Sequence, residues 1–186
     1  MLFRSRPNTC APLAETLKLN GYATAQFGKC HEVPVWETSP AGPFDRWPTG
    51  SGFEYFYGFI GGETNQWYPG LHEGNKAVEP PKTPEEGCHL TEDLTDKAIA
   101  WTRQQKALTP DKPFLVYFAP GATHAPHHVP KEWADKYKTA FDAGWDAYRQ
   151  QVFEKQKAMG ILPANTKLSR HDPDVQDWGK IGRAHV

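Results

Sequence analysis

Cysteine is scarce. Cys10, Cys30 and Cys88 are the three in 186 residues, and no C-x-x-C pair occurs. An odd number so widely spaced excludes a disulfide framework and gives a cysteine-based zinc site no support, so three reduced thiols are expected. No apolar run approaches the ~20 residues that cross a bilayer, so no membrane segment is expected. The first residues lack the apolar stretch of a signal peptide. Charge of one sign is missing too: 21 Lys and Arg stand against 22 Asp and Glu, a formal net charge of −1. That balance points to neither nucleic acid nor an acidic membrane surface. Also lacking is a nucleophile or carboxylate set visibly placed beside the cationic motifs described below.

What is present is loop and aromatic. Seventeen prolines and sixteen glycines imply many turns, while seven tryptophans and ten phenylalanines supply a core. Residues 12–20 read as a short helix, with Pro12 in its first turn, Leu13 and Leu17 on one face and Gly21 closing it. An apolar strand over 22–27 follows. Residues 31–84 are rich in Pro and aromatics and read as loop, with 53–59 a short packed strand or turn and 80–84 a stiff connector. A helix is predicted over 91–106, capped by Thr91, with Leu90, Leu94, Ala98 and Trp101 on one face. A second apolar strand is predicted over 114–118. A helical turn or two falls at 131–138, and a longer helix at 141–159 places Phe141, Trp145, Tyr148 and Val152 on one face.

Each strand runs into cations. The first leads to Phe27-Gly28-Lys29-Cys30-His31, the second to Thr123-His124-Ala125-Pro126-His127-His128. Cations at the ends of core strands are costly to bury without an anion. In open α/β sheets that strand edge is where ligands bind. A site for a small, multiply charged anion is the expectation. A zinc reading of His124, His127 and His128 has neither cysteine nor acid nearby to support it. Trp67 and His72 either line a pocket or pack in the core.

Both ends read as translated sequencing adapter. Leu2-Phe3-Arg4-Ser5 and Ile181-Gly182-Arg183-Ala184-His185-Val186 match the two arms of a common short-read adapter. Residues 6–179 are therefore expected to be the natural part, a fragment of one catalytic domain, with 1–5 and 180–186 non-native.

With these motifs on the page, the chain resembles the type I sulfatases, arylsulfatase branch, of the alkaline-phosphatase-like superfamily. The carriers are Leu13-Ala14-Glu15-Thr16-Leu17-Lys18, Gly21-Tyr22-Ala23-Thr24 and Phe27-Gly28-Lys29-x-His31. They continue with Gly52-Phe53-Glu54-Tyr55-Phe56-Tyr57-Gly58-Phe59, Leu90-Thr91-x-Asp93, Lys112-Pro113-Phe114, Tyr117-x-Ala119 and His124-Ala125-Pro126-His127. The resemblance implies an α/β fold: part of an alkaline-phosphatase-like sandwich, a mainly parallel sheet flanked by helices. It implies hydrolysis of a small-molecule sulfate ester by a formylglycine, made from Cys or Ser by a formylglycine-generating enzyme, beside a calcium ion. Lys29 would contact sulfate and the formylglycine. His31 would orient the formylglycine hydroxyl and help eliminate sulfate. His124 would bind sulfate near the ester oxygen and act as acid. A lysine suits a tetrahedral oxyanion as a point charge, and an imidazole titrates near neutrality.

The departures are informative. Cys10-Ala11-Pro12-Leu13-Ala14 mimics the modification motif C-x-P-x-R, but Ala14 stands where arginine is required. Cys10 is read as an ordinary cysteine. Cys30 stands where Trp is common. The calcium carboxylates and a second sulfate-binding lysine have no counterpart, so no metal ligand is assigned and an inactive piece is expected. The alternatives are a phosphatase or phosphodiesterase of the same superfamily, with a Ser or Thr nucleophile and two zinc ions, or a non-catalytic anion-binding protein.

Overall fold

The structure, a computed structural model, describes residues 9–180. The expected non-native ends fall outside these residues, apart from Lys180. The chain divides into two compact units, Met1–His128 and Val129–Val186.

The first unit is built on α1 (Leu13–Leu19), β1 (Ala23–Cys30), β2 (Tyr55–Ile60), β3 (Leu71–Glu73), β4 (Lys76–Val78), α2 (Leu90–Leu108) and β5 (Phe114–Ala119). The strands form one sheet in the order β4-β3-β2-β1-β5. β1 pairs in parallel with both β2 and β5, and the β3–β4 hairpin adds antiparallel to β2. The two predicted strands are thus neighbours in one mainly parallel sheet. β1 lies between its parallel neighbours β2 and β5 and is buried almost throughout, including Thr24 and Gln26, which is why it reads as a largely apolar run. It runs three residues beyond the predicted end and carries Lys29 within it.

One face of β1 presents Ala23, Ala25 and Phe27 to Leu90, Leu94 and Trp101 of α2, with Tyr57 and Phe59 of β2 and Leu71 of β3 beside them. Each fully buried side chain of this size contributes about 1.5–3 kcal/mol. Tyr57 also donates to Asp93 of α2 at 2.6 Å, and Lys97 lies 4.6 Å over the Tyr57 ring. Burial and that hydrogen bond together push the Tyr57 phenol well above its ordinary range. On the other face Cys30 packs with Val33, Trp47 and Phe56. A cavity of about 300 Å³ there is lined by Pro12, Leu13 and Ala14 of α1, Gln26 of β1 and Tyr117 of β5.

Two local readings are corrected. The cap of α2 is His89, not Thr91: its side chain accepts from the Thr91 N–H, so the helix is capped two residues earlier than the hydroxyl pattern suggested. The hairpin β3–β4 lies in a stretch read as loop, turning at Gly74, whose φ is +59°.

The second unit holds α3 (Lys131–Asp135) and α4 (Gly144–Ala158). Phe153 is the large side chain buried on α4, whereas Phe141 and Tyr148 are about half exposed, so the expected apolar face is rotated. Trp145 instead packs edge-on against Trp178, with ring centroids 5.2 Å apart.

Candidate active site

Three parallel strands end at one edge of the sheet. β1 delivers Lys29 and then His31, β2 delivers the turn Gly61-Gly62-Glu63, and β5 delivers the loop that carries His124. This is the carboxyl edge, where loops from adjacent parallel strands can share one ligand. Register aligns Gly28 of β1 with Gly58 of β2 and Ala119 of β5. Gly28 has a φ of +101°, and a Cβ on it would stand 2.1 Å from the Ala119 carbonyl oxygen. Only glycine fits between the neighbouring strands immediately before Lys29.

The His31 ring lies against Gly62: a Cβ built there would come within 2.7 Å of Cε1 and 3.1 Å of Nε2. The His31 pKa is lowered, first by burial, then by the charges of Lys29 and of His124. The structure therefore brings all three sequence-identified residues within electrostatic reach, although Lys29 and His124 are far apart in sequence. His124 is half exposed, and its Nδ1 lies 2.8 Å from the Ala125 carbonyl oxygen and 3.5 Å from Oε2 of Glu63. Both neighbours can only accept, so the tautomer with its proton on Nδ1 suits them.

The remaining histidines have other work. His127 is exposed. His128 accepts from the Gln66 N–H through Nδ1 at 3.4 Å, and its carbonyl pairs with Nε2 of His89 at 3.2 Å. His128 thus shapes its loop. Among the described residues no group of three or more His, Cys, Asp or Glu side chains could hold a metal ion. Trp67 packs edge-on against His89 at 4.9 Å, and His72 against Trp47 at 5.1 Å. Burial lowers the His72 pKa. Cys10 is exposed, Cys30 and Cys88 are buried, and none of the three is in a disulfide.

Sequence reading missed Gly62, Glu63 and Gln66. Gln66 is buried, its backbone carbonyl accepts from Leu90 N–H at 2.8 Å, and its amide lies under Gly121 of the histidine loop. The available signal was the Gly61-Gly62 pair directly after an aromatic strand, which marks a close backbone approach.

The comparisons with known proteins agree with one another. A family model described as Sulfatase matches residues 2–169. The uncharacterized sulfatase YdeN of Escherichia coli (strain K12) is 32% identical over 189 residues, covering 91% of this chain and 32% of that protein. An arylsulfatase of Klebsiella aerogenes is 30% identical over 173 residues, covering 89% of this chain and 35% of that protein. The chain thus spans about a third of the length of these curated relatives. Among solved structures, Ps i-CgsB superposes with a TM-score of 0.55 at 22% identity, over 70% of this chain and 30% of that one. At that identity the likeness speaks for the fold, the mainly parallel, helix-flanked sheet of the alkaline-phosphatase-like kind.

Proposed function

Because this chain belongs to the sulfatase family, we propose that its cationic strand edge is one wall of a sulfate-ester site, and that aryl sulfates are the substrates of the whole protein. The observation that carries the reading is that Lys29 and His31, at the carboxyl end of β1, and His124, on the loop after its parallel neighbour β5, share one edge of the sheet, where Lys29 and His124 both act on the His31 ring. Lys29 binds sulfate oxygens as a point charge. His124 binds near the ester oxygen and donates a proton from Nε2 to the departing alcohol. His31, kept neutral by burial and its cationic neighbours, is the group able to accept a proton.

The family resemblance implies calcium, which would screen sulfate charge, and a formylglycine, which would supply the nucleophile. The described residues offer no cluster for a metal, and Ala14 interrupts the motif at Cys10. The residues present fit neither group, and no step above runs through them. We accordingly propose that the 186-residue chain by itself does not turn over sulfate esters.

The test compares this chain with the parent gene product extended at both ends, each co-expressed with a formylglycine-generating enzyme and assayed on p-nitrophenyl sulfate. Turnover is expected from the extended protein alone, with a loss of about 100-fold or more on Lys29→Ala or His124→Ala. Activity of the short chain that vanishes on Cys10→Ala would restore Cys10 as nucleophile. Hydrolysis of phosphate esters alone would move the function to a phosphatase.

A further inference from the structure

The turn after β2 touches both histidines of the proposed wall. Gly61, with φ +125°, and Gly62 make it tight enough for Gly62 to lie against the His31 ring. The next residue, Glu63, then reaches His124, with Oε2 3.5 Å from Nδ1. We propose that Glu63 is a positioning residue for His124, its carboxylate holding the Nδ1 side of the ring so that Nε2 is aimed as proton donor. The proposal rests on the sulfate-ester reading above.

The charge arithmetic supports it. Lys29 and His124 are the cationic neighbours of His31 at this edge. Glu63 brings the opposite sign from the β2 turn. On its own loop His124 is followed by exposed His127 and by His128, whose Nδ1 takes the Gln66 N–H. The Ala125 carbonyl, 2.8 Å from Nδ1, fixes which nitrogen bears the proton in the neutral ring, and Glu63 adds the charge that a carbonyl lacks. When the S–O bond of an ester breaks, its electron pair goes to the ester oxygen. The Nε2 proton neutralises that oxygen, and sulfur bonds to an oxygen nucleophile derived ultimately from water. The ring is left neutral, with Nδ1–H on the Ala125 carbonyl and Glu63 beside it.

An acid matters most for a poor leaving group, and the test uses that. In the extended parent, Glu63→Gln is expected to lower kcat about tenfold on phenyl sulfate and no more than about twofold on p-nitrophenyl sulfate, with KM little changed. Glu63→Asp should recover most of the phenyl sulfate rate. Equal losses on both esters, or none on either, would overturn the proposal. A second measurement needs no turnover. In nitrogen-edited imidazole spectra of the 186-residue chain, Glu63→Gln should move the His124 ring signals and leave those of His72 and His89 in place. An unmoved His124 ring overturns the pairing. If the wild-type parent hydrolyses no sulfate ester, the sulfate-ester reading falls, and the ring spectra alone decide whether Glu63 holds His124.

Discussion

Burial, Lys29 and His124 all push the His31 ring toward its neutral form, and burial does the same to His72. Both groups have folded pKa values below the unfolded value, so the unfolded state binds protons that the native state refuses. Stability from this source is complete above the unfolded histidine range, about pH 6.5, and is lost as pH falls toward the folded values. The urea midpoint of the chain is expected to drop between about pH 7.5 and 5, and His72→Phe should flatten the slope. A midpoint that stays level or rises on acidification would contradict the placement of both rings. Sulfate supplies a further check on the cluster. A bound anion favours protonated His31, so sulfate should raise the melting temperature more at about pH 5.5 than at 8, the gain being lost in Lys29→Ala. An equal gain in that variant would mean that sulfate acts elsewhere.

Packing of α2 against the sheet sets how firmly that edge is held. Leu94 is fully buried between the helix and β1, so Leu94→Ala is expected to cost about 2–5 kcal/mol in urea unfolding. Tyr57→Phe keeps the ring and removes one hydrogen bond to Asp93, and should cost about 1–2 kcal/mol. If the tyrosine change proved the larger, the helix would be held by its polar anchor rather than its apolar face. These elements were legible in sequence because each carries its own period. The apolar face of α2 repeats at helical spacing, and β1 and β5 are short apolar runs with turn residues around them. The hairpin β3–β4 escaped because each strand has three residues, too few to show alternation, although Gly74-Asn75 is a two-residue hairpin turn. The His89 cap escaped because an imidazole is a rare acceptor at that position. Lys29, His31 and His124 were recognisable from motif order. Glu63 was not, because its place depends on where three separate strands end.

At the scale of the whole molecule, the sheet is unevenly finished. One margin is closed by the short hairpin β3–β4, while β5 forms the other and, among the described residues, pairs only with β1. Phe114, Tyr117 and Phe118 of β5 are each more than a third exposed, and adjacent residues point to opposite faces, so both faces of this margin are apolar. A strand with free backbone donors and acceptors and exposed aromatics is a template for pairing with another chain. The chain is therefore expected to self-associate as its concentration rises, detectable by light scattering. Phe118→Lys places a charge on the margin, at a residue 40% exposed that pairs in register with Phe27. It should suppress association while lowering stability by no more than about 1 kcal/mol. Scattering that is the same in both proteins would place the sticky surface elsewhere. If association disappears only when the parent sequence is restored at both ends, then a further segment of the larger protein covers β5.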